Sequence, residues 1–83
     1  MVHEFNDEQL DFLHQINKAR KAMMKAGTDP SCVWMNSKTY EFLTGKPPQI
    51  ILDAYGRQIP NGQAYGLNIF VSDDLEKDRM YVE

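Results

Sequence analysis

The chain has 83 residues, 42% apolar and 25% charged, with a formal charge of −3 and one cysteine. That is the length of one domain and the composition of a folded chain, which excludes disorder and a disulfide scaffold; a core of this size is small, because such a chain buries only about 60% of its unfolded surface. A pI of about 5.3 disfavours a non-specific nucleic-acid binder, whose affinity comes mostly from neutralising phosphates.

The first element is a long helix over residues 6–26. Asn6 followed by Gln9 makes a capping-box pair, Phe5 and Leu10 sit at the positions of a hydrophobic staple, and Asp7 and Glu8 suit the positive end of the macrodipole. Phe12, Ile16, Ala19, Met23 and Ala26 form one apolar stripe, with Leu13 and Ala22 beside it. Gly27 is the expected stop, and Pro30 prevents resumption. After a loop, Cys32–Met35 reads as a short buried strand that runs directly into a helix over residues 37–44, capped by Asn36 or Ser37. Tyr40 and Leu43 lie on its inner face with Phe42 alongside, and Gly45 closes it.

Lys46-Pro47-Pro48-Gln49 is an extended break. Ile50-Ile51-Leu52 predicts a strand over residues 50–53, with Asp53–Arg57 turning back through Gln58-Ile59 as a small hairpin. Pro60-Asn61-Gly62 is a further turn. The clearest strand pattern covers residues 67–72, where Leu67, Ile69 and Val71 alternate with Asn68 and Phe70. A last strand over residues 79–82 is expected to pair antiparallel with it, because the connection suits a hairpin and is too short for a parallel crossover. The fold class is therefore α+β: a long N-terminal helix and a short second helix on a small, mostly antiparallel sheet of three to four strands.

No pattern in the chain carries recognisable chemistry. Asp73, Asp74, Glu76 and Asp78 lack the spacing of a calcium loop and read as a solvated turn. His3 and His14 have no ligand partner in the sequence, and Gly56, Gly62 and Gly66 do not open a helix after a strand, so they form no phosphate loop. Cys32 reads as a small buried hydrophobe. No catalytic, cofactor or metal site is expected, and the chain is read as a non-enzyme. What remains are contact candidates. Trp34 is either core or an interface anchor, and a core ring would make Trp34→Ala cost about 3–5 kcal/mol. Of the adjacent Met23 and Met24, only one faces the core, and Met24 can extend an apolar patch. Tyr55 and Tyr65 bracket the Gly/Pro-rich segment, the expected exposed loop. Lys18, Arg20, Lys21 and Lys25, joined by Arg57, form either a solvated helix face or a basic strip that, with Tyr55 and Tyr65 nearby, can touch single-stranded nucleic acid by stacking and phosphate contact.

The long helix, the run Val33-Trp34-Met35-Asn36-Ser37-Lys38-Thr39-Tyr40-Glu41-Phe42-Leu43 and the later Tyr65-Gly66-Leu67-Asn68-Ile69-Phe70-Val71-Ser72-Asp73-Asp74-Leu75 resemble the peripheral domain of tailed-phage major capsid proteins of the HK97-like fold. In that family a spine helix precedes a valine-hydrophobic-methionine-asparagine strand, a capped short helix, and a glycine-leucine-hydrophobic-valine strand ending in serine-aspartate. The resemblance spans roughly residues 10–82. Subunits of that family are several times longer and carry an N-terminal arm, an extended loop and an axial domain. The resemblance thus implies a peripheral-domain-like fold and a phage structural or assembly role exercised through protein–protein contacts, with itself as a homo-oligomer or with other virion or host proteins. Trp34, Met24, Tyr55, Tyr65, Lys21 and Lys25 are the residues to test. A nucleic-acid partner is disfavoured. No apolar run approaches the roughly 20 residues that span a bilayer, and no signal-peptide core follows the N-terminus, so the expected location is host cytoplasm or virion. The alternative is a small phage-encoded regulator that binds a host protein or nucleic acid through the basic half of the first helix.

Overall fold

A computed structural model describes residues 5–83; the readings on His3 and Glu4 fall outside the described residues. In chain order the elements are α1 (Asp7–Lys25), β1 (Cys32–Met35), α2 (Ser37–Thr44), β2 (Gln63–Ala64), β3 (Leu67–Val71) and β4 (Met80–Val82). The fold is α+β, two helices packed with a four-stranded mixed sheet of order β2-β3-β1-β4.

The caps form as the sequence predicts. Asn6 Oδ1 accepts the Gln9 N–H and Gln9 Oε1 accepts the Asn6 N–H, each at 2.8 Å. The same Gln9 side chain donates to the Phe42 carbonyl at 2.6 Å, and Phe12 meets Phe42 edge-on with centroids 5.8 Å apart. The start of α1 is thereby tied to α2. Asn36 caps α2 by accepting the Lys38 N–H, and Gly45 ends it with φ +77°, a conformation a side chain would strain. A second oxygen reaches the same helix start: Asp73 Oδ1 accepts from the Ser37 hydroxyl at 2.5 Å and from the Ser37 N–H at 3.1 Å. The Ser37 hydroxyl, then the Ser37 N–H, hold the Asp73 carboxyl below the usual carboxylate range.

The core consists of Ile16 from α1, Val33 and Met35 from β1, Tyr40 and Leu43 from α2, and Leu67, Ile69 and Val71 from β3. On α1 only Ile16 is fully buried; Phe12, Leu13, Ala19 and Met23 are half-buried, while Ala22 and Ala26 are exposed. The expected stripe therefore stops short of Ala26, because the last turns of α1 extend past the small core.

Two expectations about the sheet are corrected. First, β4 does not form a hairpin with β3. It pairs antiparallel with β1, whose other side pairs parallel with β3. The strand directions are opposite, as expected, but the eight-residue connection (residues 72–79) carries the chain past β1 instead of back along β3. Second, residues 50–53 are not a strand of the sheet. Leu52 makes only an isolated bridge to Gln58, and Ile50, Ile51 and Leu52 are all about half exposed or more. The expected hairpin does form, with the Ile59 N–H on the Ile51 carbonyl and the Asp53 N–H on the Arg57 carbonyl, but it projects from the sheet.

The return of that hairpin explains why no place is left for residues 50–53 in the sheet. The outer edge of β3 is taken by residues 58–64. Ala64 and Gln63 pair with Leu67 and Asn68 through a two-residue turn of Tyr65 (φ +52°) and Gly66 (φ +78°). Further along, Asn61 donates to the Ile69 carbonyl, and the Gly62 carbonyl accepts the Ile69 N–H. At Val71 no backbone remains in reach, and the Gln58 side-chain amide stands in for a strand residue, accepting the Val71 N–H and donating to the Val71 carbonyl, both at 2.9 Å. Gln58→Ala removes both bonds from a half-buried edge. It is expected to lower unfolding stability by about 1–3 kcal/mol, measured by urea denaturation, with Gln58→Glu, which lacks the amide donor, also destabilising.

Candidate functional site

β1 is buried on its inner face and paired on both sides, so its alternation assigns each side chain a surface. Val33 and Met35 point into the core at 0% and 1% exposure. Trp34 points to the opposite face, which the core residues do not reach, and is half-buried there. Register places Phe70 of β3 on one side of it and Tyr81 of β4 on the other. The Trp34 and Phe70 rings stack with centroids 4.9 Å apart, and Tyr81 is 57% exposed. Three aromatic rings thus cross three strands in a row on the outer face of the sheet.

The Trp34 ring is held in orientation. Its Nε1–H donates to Glu83 Oε1 at 2.9 Å. The Cys32 thiol lies 3.7 Å from the same oxygen. Burial first, and the Glu83 charge second, push the Cys32 thiol above its ordinary pKa, so the thiolate that a nucleophile needs is suppressed.

Two open depressions flank Trp34. One, about 630 Å³, is lined by Phe70 and the projecting hairpin, with Leu52, Arg57 and Gln58 among its walls. The other, about 270 Å³, lies between Trp34, Leu75, Tyr81 and Glu83. Neither encloses a volume, so both suit side chains of a macromolecule better than an engulfed small ligand. The hairpin tip is built on Asp53, whose Oδ1 accepts the Tyr55 and Arg57 N–H groups at 2.8 and 3.0 Å. These bonds, Arg57 first, hold the Asp53 carboxyl below its ordinary value. Arg57 also pairs with Asp53 at 3.3 Å and covers the Tyr55 ring at 5.2 Å, so Tyr55, 83% exposed, is linked to the depression beside Trp34.

The contact candidates from the sequence therefore fall into three places. Trp34 is on the outer face, with Tyr55 connected to it through Arg57. Met24 and Tyr65 meet a common residue: Arg20 Nη1 lies 3.5 Å from the Met24 sulfur and its guanidinium 5.9 Å from the Tyr65 ring centroid. Lys21 and Lys25 line a shallow groove on α1 together with His14 and Lys18. Phe70 and Tyr81 did not stand out as candidates in the sequence. The signal for them is that each occupies the outward position between core residues of its strand, as Trp34 does. Among the described residues no three His, Cys, Asp or Glu side chains converge to hold a metal ion, and none of the helices is long and apolar enough to cross a membrane.

Set against known proteins, the chain matches no family, no curated relative and no solved structure.

The two faces of β1 differ in energetic weight. Met35→Ala, in the closed core, is expected to cost about 2–5 kcal/mol. Trp34→Ala loses the partial burial of its ring, a stacked pair worth about 0.5–1.5 kcal/mol beyond that burial and a hydrogen bond of about 1 kcal/mol. It opens onto solvent and leaves no closed cavity, and is expected to cost no more than the low end of the roughly 3–5 kcal/mol of a core ring. Thermal or urea unfolding of the two variants checks this order.

Proposed function

We infer that this is a non-enzymatic binding protein that works by docking a protein partner on its outer sheet face, in the structural or assembly apparatus of a phage. The observation that carries the reading is the row Phe70–Trp34–Tyr81. In an 83-residue chain, the one tryptophan and two further rings are aligned on the face opposite the core, and a carboxylate fixes the tryptophan's orientation. Tryptophan and tyrosine are the residue types that most often anchor interfaces, and their pre-set orientation reduces the ordering cost of association. The charged residues around the row, Arg57 with Asp53 on one side and Asp74 and Glu83 on the other, form the polar rim such an interface has. The partner that fits is a protein surface offering apolar side chains to the two depressions. The likeness of Val33–Leu43 and Tyr65–Leu75 to a capsid peripheral domain supports the phage setting, where that domain acts only through neighbouring subunits.

Trp34 reports directly on its own burial. Purified products of the genes flanking this one, mixed in singly, are expected to include a protein that shifts the Trp34 emission to the blue and co-elutes in size-exclusion chromatography. The shift is lost in Tyr81→Ser. Unchanged emission and separate elution with every such protein would remove the reading.

One observation favours a second reading, a small regulator with an acidic partner. His14, Lys18, Lys21 and Lys25 follow one another at intervals of four, three and four along the exposed side of α1 and share one groove, whereas Arg20 is not among its walls and donates to Asn17 at 2.7 Å. Lys21→Glu with Lys25→Glu is expected to abolish any binding of a single-stranded DNA oligonucleotide or of a polyglutamate peptide seen at low salt, and that binding should weaken steeply as salt rises. Absence of both at 20 °C and about 10 mM salt, where screening reaches about 30 Å, excludes it.

A further inference from the structure

The two edges of the sheet are treated differently. At the β3 edge every outward backbone group from Leu67 to Val71 is met, down to the Gln58 amide that completes it. At the β4 edge the alternation leaves groups facing outward. The Glu83 and Cys32 backbones exchange both their hydrogen bonds, so in the antiparallel ladder Trp34 and Tyr81 do the same, and Val82 and Met80 direct their N–H and C=O groups away from β1. None of the hydrogen bonds of the described residues turns back to cover them. Exposed edges of this kind are ordinarily blunted by brevity, charge, proline or a bulge; β4 is short, with Arg79 and Glu83 at its two ends, but carries no proline, lysine or bulge over its three residues.

We propose that β4 pairs with β4 of a second copy of this chain, antiparallel about a two-fold axis at Tyr81, to make one continuous sheet across a dimer. The segment is complementary to itself in that register alone. Met80 of each copy stands opposite Val82 of the other, and these two residues, whose N–H and C=O groups face outward, exchange both hydrogen bonds. On the helix side of the sheet the same pair is apolar against apolar. On the outer side Arg79 stands opposite Glu83 of the second copy, and Tyr81 meets its own counterpart in the closer, non-hydrogen-bonded geometry. Sliding by one or two residues in either direction breaks the charge pairing. Arg79 is free to move: its present contact with Glu76 is a 3.5 Å surface pair with both side chains about three-quarters exposed, of a kind that contributes little. The dimer also joins the two aromatic rows into one, running from Phe70 of one copy to Phe70 of the other. Isologous pairing of this type closes at two copies and buries both open edges at once.

The edge pairing does not rest on the outer-face docking reading; the two share Tyr81 and Glu83, so they are separated by variants elsewhere, Val82→Pro and Arg79→Glu, which leave the Trp34–Glu83 hydrogen bond in place. Analytical ultracentrifugation of the full chain is expected to show a monomer–dimer equilibrium with Kd below about 1 mM, the weak end of specific association. Val82→Pro removes an N–H that the monomer fold does not use and places a ring in the pairing path. It is expected to keep the far-UV circular dichroism spectrum and raise Kd at least about 10-fold, a 1.4 kcal/mol change. Arg79→Glu alone weakens the dimer by setting like charges opposite each other, as does Glu83→Arg alone, which also removes the acceptor of the Trp34 Nε1–H; combining the two restores the dimer but not that acceptor. That charge swap decides the matter if Val82→Pro does not fold. A chain that stays monomeric at about 1 mM overturns the proposal, and so does a dimer indifferent to Val82→Pro and to the charge swap. Partner binding on the Trp34 face with no dimer would leave the docking reading standing alone, and the reverse result would leave the edge pairing standing alone.

Discussion

Everything in this fold depends on β1 being paired on both sides. Its four residues, Cys32–Met35, are held parallel to β3 and antiparallel to β4, so a twist or slip of this strand would displace the whole sheet. A one-residue slip would exchange Val33 and Met35 with Trp34 between the core and the outer face. Two fully buried apolar side chains, one of them the long Met35, would then leave the core and the largest ring in the chain would enter it. The core holds eight buried apolar side chains, and a cluster that small has no slack for such an exchange. The register of β1 is thus enforced by volume on one face, and the position of the aromatic row on the other face follows from it.

The direct passage from β1 into α2 transmits this register to the helices. Asn36 ends the strand and caps the helix through Lys38, and its Nδ2 donates to the Leu75 carbonyl at 2.8 Å. Thr39 donates from the buried first turn to the Lys77 carbonyl, and Asp73 binds Ser37. The loop that carries the chain from β3 past β1 to β4 is therefore anchored on the start of α2. Those anchors explain how so short a connection places β4 on the far side of β1. The chain turns around a helix terminus whose free N–H groups need acceptors in any case; the loop supplies one through Asp73 and meets the Asn36 and Thr39 side chains with the Leu75 and Lys77 carbonyls.

Caps, stops and strand alternation are legible in the sequence; strand order, and whether an apolar run is buried, are not. The capping box at Asn6 and Gln9, the cap at Asn36 and the stop at Gly45 report on contacts within a few residues, the alternation of Leu67–Val71 reports which face is buried, and each appears in the structure. Strand order was not legible. A short connection favours a hairpin as a general rule, but here the preference lost to the anchors on α2, which lie more than thirty residues upstream of the loop. Ile50-Ile51-Leu52 looked like a strand because a short apolar run ordinarily needs burial. Nothing in the run itself reveals that the β3 edge is already occupied by residues 58–64. The aromatic row was unreadable for the same reason: Trp34, Phe70 and Tyr81 are far apart in the chain and become neighbours only through pairings that the local sequence does not encode.

The cost of this arrangement falls on stability. One long helix and one short one cover the inner face, and α1 buries a single residue completely; among the described residues no helix closes the outer face. A chain of this size built for stability alone would place its tryptophan in the core, where its large area contributes most. Instead the Trp34 ring is half-buried on the outer face, with its N–H held by Glu83 at 2.9 Å and its plane stacked on Phe70 at 4.9 Å. Both contacts order the ring without covering it. A side chain fixed in orientation yet left partly open has already lost the freedom that a binding partner would otherwise have to remove. The outer face thus presents rings whose orientation is set before anything meets them.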